Sequence, residues 1–309
     1  MASTDAGQPA LIPPGWHCGK LSGMKRRDFL SSVAAIPALA AVQGAQAERP
    51  RANGRGLKVG TVTYNIAKDW DIPTIIKNLT EVGMDGVELR TSHKHGVEIS
   101  LSTAQRAEVR KRFDDSAVEI GGLGTTCEYH SPDPGVVRKN IEETKVWVAL
   151  ARDVGAPGVK VRPNGMPKGV PEEKTLEQIG KALAECGAAA VDHGVKIQLE
   201  VHGSETSRLP RIRKMLDYGG NHPGVRVCWN SNPTDLLDGG FDANFRLVRD
   251  QIGQVHLRDL FVDYPFRQLI SALSEMKFDG YCFAEIPESA DPVRVLKYFR
   301  GMFRAYQNL

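Results

Sequence analysis

Four polar residues at the ends of successive apolar segments could act together: Glu200, Asn230, His256 and Glu285. Carboxylate, imidazole and amide oxygen ligands suit a divalent cation such as Mn²⁺, Zn²⁺ or Co²⁺. The two ionised glutamates would balance the charge of one ion, and an open coordination position could polarise a substrate carbonyl or hydroxyl group. Any one of the four alone is more simply a satisfied polar residue at the end of a strand. Four in register predict a metal site.

Strand-like segments of alternating polarity would position these residues. In 195–201, Glu200 falls on the side opposite Leu199, and His202 follows on the same side as Glu200. Side chains alternate between the interior and the helix-facing side of a barrel, and the C-terminal strand ends carry the chemistry. We therefore expect the four candidate ligands to meet at one mouth of a barrel.

Eight short apolar segments alternate with longer amphipathic ones, a pattern typical of βα units around a parallel sheet. Eight units with no spare segment predict an α/β protein with a closed (β/α)8 barrel, a fold that commonly needs about 250 residues. A doubly wound open sheet would usually show a glycine-rich loop after the first strand, and residues 63–67 have none. The predicted strands are 57–63, 85–90, 118–124, 158–162, 195–201, 225–230, 252–257 and 280–285.

The segments QLEVHG, VCWNSNP, VHLRD and FAEIPES carry the four candidate ligands in an order that resembles the xylose isomerase-like TIM barrels. That family contains sugar-phosphate isomerases and epimerases, ketose 3-epimerases and, more distantly, endonuclease IV. The resemblance extends from Leu57 to about Tyr306 and implies a xylose isomerase-like (β/α)8 TIM barrel with one divalent metal ion. It also implies that Glu200 and Glu285 exchange a proton at a carbon next to a carbonyl, with His256 as a metal ligand.

The sixth predicted strand departs from the family pattern. The family usually has Asp there, followed three residues later by His, whereas this chain has Asn230 and Pro233. Asn still offers a carbonyl oxygen, but without charge. We expect a lower metal affinity unless Asn232 assists, and a barrel that binds carbohydrate through a degraded metal site stays open as an alternative.

Other polar residues near the strand ends are candidates for substrate binding. Lys160 and Arg162 both alternate inward, and cations inside a barrel need an anionic partner. For Lys160 that partner is either Glu88 on the second strand or the substrate. The candidate substrate-binding residues are His202, Lys160, Arg162, Glu88, His93, His95, His130 and Arg258.

Several of these candidates have structural alternatives. His93 and His95 could equally be surface residues of a loop, and Arg258 could pair with Asp259. Either Tyr129 or His130 could cap the pocket after the third strand. Trp229 faces the helices by its parity, so we expect it in the core.

Residues 1–47 resemble an N-terminal extension with a twin-arginine (Tat) export signal. Paired arginines precede the apolar run Leu30–Val42, which is shorter than the roughly 20 residues needed to span a membrane. Ala45-Gln46-Ala47 offers a cleavage site, and Met24 is an alternative start. The expected division is therefore a signal over 1–47, a linker over 48–56 and a single TIM-barrel domain over 57–309, exported to the periplasm without a stable membrane span after cleavage.

The composition and the predicted export narrow the range of possible functions. The 309 residues carry 40 Lys and Arg against 37 Asp and Glu, without a basic stripe, so nothing indicates nucleic-acid binding. A DNA-repair site of the endonuclease IV type would need more ligands than this chain offers. Because phosphorylated sugars are mostly cytoplasmic, we expect an isomerase or epimerase of an unphosphorylated sugar or keto-sugar. A lyase or hydratase of 3-keto-glycosides is the nearest alternative, and homo-oligomerisation is left open.

Overall fold

Eight parallel strands pair in chain order and the eighth closes on the first, which confirms the predicted (β/α)8 barrel. The computed structural model describes residues 56–309, so the predicted export signal, its cleavage site and Met24 lie outside the described residues. The strands are β1 (Lys58–Val62), β2 (Gly86–Arg90), β3 (Glu119–Glu128), β4 (Gly158–Arg162), β5 (Lys196–Glu200), β6 (Val225–Asn230), β7 (Ile252–Leu257) and β8 (Tyr281–Ala284).

β3 extends four residues beyond its predicted end. Gly124 pairs with Lys160 and Glu128 pairs with Arg162, so β3 uses four residues where β4 uses two. Such a bulge redirects the strand end. It carries Glu128 to the mouth of the barrel.

A helix follows each strand, and its apolar face packs on the outside of the barrel. Asp71 caps α1 and Ser102 caps α2 with side-chain hydrogen bonds, while α1 ends at Gly83 in the left-handed region. No helix within residues 56–309 is long and apolar enough to cross a membrane. The helices are α1 (Ile72–Val82), α2 (Thr103–Asp114), α3 (Pro134–Val154), α4 (Glu172–Asp192), α5 (Leu209–Tyr218), α6 (Gly240–Val248), α7 (Phe266–Glu275) and α8 (Pro292–Tyr306).

Two aromatic rings fill the interior below the mouth. Tyr281 and Phe283 stack with ring centroids 5.1 Å apart. A Cβ atom at Gly86 would lie 2.7 Å from the Tyr281 ring, and one at Gly121 would lie 2.6 Å from the Phe283 ring. Glycines on β2 and β3 therefore make room for the rings. The His256 ring rests on Phe283 with centroids 6.3 Å apart, so an apolar floor supports the polar layer above it.

Candidate active site

The structure brings three of the four candidate ligands into direct proximity at the C-terminal mouth. His256 Nδ1 lies 3.5 Å from Glu200 Oε1 and 3.4 Å from Glu285 Oε2. One ligand atom of each residue lies within 4.8 Å of the others. Glu200 ends β5, His256 lies in β7 and Glu285 directly follows β8. The alternation of side chains along parallel strands therefore produces the convergence expected from the sequence.

The Nε2 atom of His256 is held inside the fold, which leaves Nδ1 as the ring nitrogen that could bind a ligand. Its Nε2 lies 3.0 Å from Glu88 Oε2, which also accepts a 2.6 Å hydrogen bond from Gln254 Nε2. A carboxylate only accepts, so Nε2 carries the proton and Nδ1 keeps its lone pair in the neutral ring. His256 Nδ1 is buried and has no hydrogen-bond partner among the described residues. A histidine fixed by a carboxylate, with its other nitrogen aimed at two glutamates, fits a divalent metal ion.

Lys160 pairs with Glu200, not with Glu88 as the sequence interpretation allowed. Lys160 Nζ lies 2.7 Å from Glu200 Oε2, and both side chains are buried. The two residues lie on the neighbouring strands β4 and β5, whereas Glu88 is occupied by His256 and Gln254. With the His256 ring neutral, as in a metal-bound site, the carboxylates of Glu88, Glu200 and Glu285 and the ammonium group of Lys160 leave two negative charges, which one divalent cation would neutralise.

The electrostatics agree with a site built for a cation. Burial alone would raise the pKa of Glu200, but the charge of Lys160 holds that pKa below its usual range. Burial lowers the pKa of His256, yet the neighbouring Cys228 and the negative charges of Glu88 and Glu285 raise it well above its ordinary value. The Glu200–His256–Glu285 group therefore attracts a positive charge to the imidazole.

The side chain of Asn230 lies beside Glu200 in the Glu200–His256–Glu285 group, whereas that of Asn232 contacts the backbone of the neighbouring strand end. Asn230 is buried, and its Nδ2 lies 3.4 Å from Glu200 Oε1. A half-turn of the amide would present Oδ1 at the same place, so Asn230 could supply a neutral fourth ligand. Asn232 Nδ2 instead donates a 2.6 Å hydrogen bond to the carbonyl oxygen of Val201. It holds the loop after β6 and gives no support to the expected help with a metal.

Two of the predicted substrate-binding residues have structural roles instead. Glu88 is fully buried beneath the mouth and orients His256. His95 is also buried. Its Nε2 donates to the carbonyl oxygen of Arg90, and its Nδ1 accepts from the Val97 amide. Both ring nitrogens of His95 are thus used within the loop. The surface position considered for His95 is wrong, whereas contact of Glu88 or His95 with substrate stays a prediction that these internal contacts do not support.

His93 lies half-buried beside the mouth. Its Nδ1 is 2.8 Å from Thr63 Oγ1, and its ring stacks on Tyr64 with centroids 6.3 Å apart. Burial, with a smaller contribution from the nearby charge of Arg90, lowers the pKa of His93 to about 4. His93 is therefore a neutral group at neutral pH, available to a hydroxyl rather than to an anion.

The residues after β3 separate into two directions. Tyr129 is fully buried and its hydroxyl group lies 2.7 Å from Thr144 Oγ1 in α3, so it does not cap the pocket. His130 is only partly buried, and its Nδ1 has no hydrogen-bond partner among the described residues. Alternation along the extended strand explains the difference, since neighbouring side chains point to opposite sides.

Sequence interpretation missed Glu128 and Asn164. Asn164 Nδ2 donates to Glu128 Oε2, and Asn164 Oδ1 lies 2.9 Å from His202 Nδ1. Arg162 approaches the same carboxylate, with Nη2 3.7 Å from Glu128 Oε2. The Asn-Gly pair at 164–165 was a readable turn signal, but nothing in it indicated a hydrogen bond to His202.

The loops after β6 and β7 enclose a buried carboxyl group. The Trp229 indole donates to the Tyr264 hydroxyl group (3.0 Å), which donates to Asp235 Oδ2 (2.7 Å). Trp229 is fully buried, as predicted for a core residue. Burial raises the pKa of Asp235 to about 7. Asp235 is therefore partly protonated near neutral pH.

Arg258 does not form the ion pair with Asp259 that was the alternative to its predicted contact with substrate. No carboxylate among residues 56–309 lies within 4.0 Å of its guanidinium group, and its buried Nε has no hydrogen-bond partner there. Burial, with no offsetting positive partner, raises the pKa of Asp259. The backbone N–H of Arg258 donates to Ser231 Oγ at 3.0 Å, which joins the loops after β6 and β7.

Comparison with solved structures finds the same fold in sugar epimerases. The 3-keto-D-glucoside 4-epimerase YcjR from E. coli is 15% identical with a TM-score of 0.68, covering 81% of this chain and 99% of its own. D-Psicose 3-epimerase from Clostridium cellulolyticum H10 is 13% identical with a TM-score of 0.69, covering 81% and 99%. The IolI protein with a bound zinc atom is 15% identical with a TM-score of 0.68, covering 80% and 98%.

Sequence comparison with curated proteins finds no significant match. The sequence profile described as "Xylose isomerase-like TIM barrel" nevertheless matches residues 76–302, which include seven of the eight strands and all four candidate ligands. The chain therefore belongs to the xylose isomerase-like TIM barrel family.

Proposed function

We propose that this protein is a sugar isomerase or epimerase that moves a proton at a carbon next to a carbonyl group. Its substrate would be an unphosphorylated sugar or keto-sugar, and its cofactor one divalent ion (Mn²⁺, Zn²⁺ or Co²⁺). The observation that carries the proposal is the unpartnered, buried His256 Nδ1 within 3.5 Å of both Glu200 and Glu285. Glu200, His256 and Glu285 would hold the ion, with Asn230 as a neutral fourth ligand.

The two glutamates differ in access to the mouth. The Glu285 side chain is 20% exposed, whereas that of Glu200 is 2% exposed and paired with Lys160. Glu285 is therefore the group that reaches the substrate directly and takes or returns the proton. Glu200 approaches His256 Nδ1 from the buried side of the site. A bound ion would polarise the carbonyl group and stabilise the charge developing on its oxygen.

Elimination or addition of water next to a keto group could use the same residues. A base that removes a proton next to a carbonyl leads either to reprotonation or to loss of a neighbouring substituent. The fold shared with YcjR, a 3-keto-D-glucoside 4-epimerase, makes 3-keto-glycosides a reasonable part of any substrate panel. A lyase or hydratase is thus the nearest alternative activity.

We also propose that the protein is exported by the twin-arginine route, on the basis of residues 25–47. Expression of the full chain with and without Arg26→Lys and Arg27→Lys tests this directly. Periplasmic accumulation of the wild type, lost in the double variant, is the expected result. Retention of both proteins in the cytoplasm would contradict export and weaken the argument for an unphosphorylated substrate.

Hydrogen exchange is the decisive test of the activity. The metal-supplemented protein is incubated in D₂O with a panel of aldoses, ketoses and 3-keto-glycosides. We expect deuterium at a carbon next to the carbonyl, lost in Glu285→Gln and retained in the exposed control Glu275→Gln. Absence of exchange across the panel would refute the isomerase and epimerase proposal.

Asn230, Pro233 and the Lys160–Glu200 pair favour a second candidate, a carbohydrate-binding barrel without catalysis. Lys160 already compensates one carboxylate, and Pro233 removes a ligand that the family usually has. Metal analysis after purification separates the two functions. About one bound metal ion per chain supports the enzyme, and sugar binding without metal or exchange supports the binding protein.

A further inference from the structure

Four polar residues at or just beyond the ends of β3, β4 and β5 form a group, joined by hydrogen bonds and one ion pair, beside the metal-ligand candidates. Glu128 Oε2 accepts from Asn164 Nδ2 and lies 3.7 Å from Arg162 Nη2. Asn164 Oδ1 lies 2.9 Å from His202 Nδ1. We call Glu128, Arg162, Asn164 and His202 the β3–β5 cluster. Among them, Arg162 and His202 lie two residues beyond Lys160 and Glu200 and share their inward side.

The cluster fixes which nitrogen of His202 is available. Glu128 can only accept, so Asn164 directs its amide nitrogen to Glu128 and its oxygen to His202. His202 Nδ1 must then donate, which leaves the lone pair of the neutral ring on Nε2. No hydrogen bond joins Nε2 to another residue between 56 and 309. Nε2 is thus an acceptor with no partner in the fold.

The backbone around Asn164 is built to hold this arrangement. Asn164 adopts a left-handed conformation with φ of 65°, which Asn tolerates better than most residues. Gly203, in the loop after β5, packs directly against it, since a Cβ atom there would lie 2.7 Å from Asn164 Cα.

Arg162 supplies a hydrogen-bond donor that complements the acceptor on His202. Its Nε is buried and has no hydrogen-bond acceptor among the described residues. His202 Nε2, just after β5, and Arg162 Nε, on the adjacent strand β4, are therefore an acceptor and a donor that no hydrogen bond within residues 56–309 uses. For Arg162 Nε, a buried polar atom without a partner among the described residues, a ligand acceptor would remove a free-energy cost.

We infer that the β3–β5 cluster is a subsite for two neighbouring hydroxyl groups of the substrate. One hydroxyl group donates to His202 Nε2, and the other accepts from Arg162 Nε. Asn164 is a positioning residue that acts through His202. The inference rests on the proposed function for the sugar itself, and it adds a vicinal diol as the part of the substrate that this side of the mouth recognises.

The test uses Asn164→Gly, which keeps the left-handed backbone and removes only the side chain. Uniformly ¹⁵N-labelled protein reports the His202 tautomer by NMR, and ligand-observed NMR measures the affinity for D-fructose. We expect an Nδ1–H tautomer in the wild type that is lost in the variant, with D-fructose affinity falling about tenfold. If exchange is detected, KM rises about tenfold while kcat stays within about twofold.

A rescue variant and a matched control complete the design. In Glu128→Gln with Asn164→Asp, the introduced amide can donate to the introduced carboxylate, which still accepts from His202, so tautomer and affinity should return. Asn221→Gly alters another left-handed Asn, in the turn before β6 at the opposite end of the barrel, and should change neither. An Nε2–H tautomer in the wild type, or unchanged tautomer and affinity in Asn164→Gly, would overturn the inference. Both readouts remain informative if no sugar undergoes exchange.

Discussion

Lys160 Nζ lies 2.7 Å from Glu200 Oε2 in the interior of the barrel, where the two side chains are 6% and 2% exposed. This pair keeps a carboxylate ionised in a place where burial would otherwise favour its neutral form. It also leaves Glu200 Oε1 directed towards His256 Nδ1. Lys160 thereby holds Glu200 in its anionic form.

Removal of the ammonium group should destabilise the fold strongly. Lys160→Met leaves Glu200 as a buried carboxylate without its partner, at a cost of about 3–5 kcal/mol in the free energy of unfolding. The double variant Lys160→Met with Glu200→Gln removes both charges and should recover most of that loss. Urea denaturation near neutral pH measures both, with the exposed Lys139→Met as the control. Equal free energies of unfolding for Lys160→Met and wild type would show that the Lys160–Glu200 pair does not stabilise the fold.

Glu88 should control metal affinity without touching the ion. Glu88→Gln replaces the carboxylate that fixes the Nε2–H tautomer of His256. Loss of such a partner typically lowers metal affinity by about 10–100-fold. Calorimetric titration with Mn²⁺ and Zn²⁺ measures the change, and His256→Ala should remove tight binding altogether. Tight binding retained in His256→Ala would place the metal elsewhere.

The sequence was sufficient for the fold and for the inward direction of the main ligands, because both follow from periodicity. Alternation along β5 and β7 placed Glu200 and His256 on the interior side, and the structure agrees. The sequence was insufficient to predict which side chains pair between strands, because such pairs depend on strand register and on competition among several possible partners. Lys160 was expected to pair with Glu88 or with the substrate, and only the three-dimensional arrangement shows that His256 and Gln254 already occupy Glu88 and that Glu200 is the partner.

Loop residues were the least predictable part of the site. His95 was predicted to bind substrate or, alternatively, to lie on the surface, yet both its ring nitrogens hold the loop after β2. Asn164 was overlooked because its role depends on Glu128, which reaches the mouth only through the bulge in β3. Such contacts join segments distant in sequence, and no local pattern encodes them.

Asp235 should make stability depend on pH. Burial raises its folded-state pKa to about 7, above the unfolded value of about 3.9, so the folded protein binds the proton more tightly. The stability from this group is complete below about pH 4 and is lost as the pH rises through about 7. Asp235→Asn imitates the protonated form, keeps an acceptor for Tyr264, and should be more stable than wild type at about pH 8 by up to about 4 kcal/mol.

The comparison is made by urea denaturation of both proteins from about pH 5 to about pH 8. The difference in stability should grow with pH, while the exposed control Asp192→Asn should differ from wild type by a constant amount. A difference between Asp235→Asn and wild type that does not vary with pH would contradict the raised pKa.

Asn230→Asp should strengthen metal binding and weaken the metal-free protein. The Asn230 amide lies 3.4 Å from Glu200 Oε1, so the introduced carboxylate adds a negative ligand beside two others. Attraction to a divalent ion should raise its affinity at least about tenfold, roughly 1.4 kcal/mol. Without the ion, repulsion should lower stability by about 1–3 kcal/mol. Titration with Mn²⁺ and denaturation with and without the ion test both effects, and a loss of stability that metal does not restore would show that this mouth is not a metal site. Faster deuterium exchange in the metal-loaded variant would further identify Asn230 as the residue that limits an enzyme, rather than as a mark of a barrel that only binds sugar.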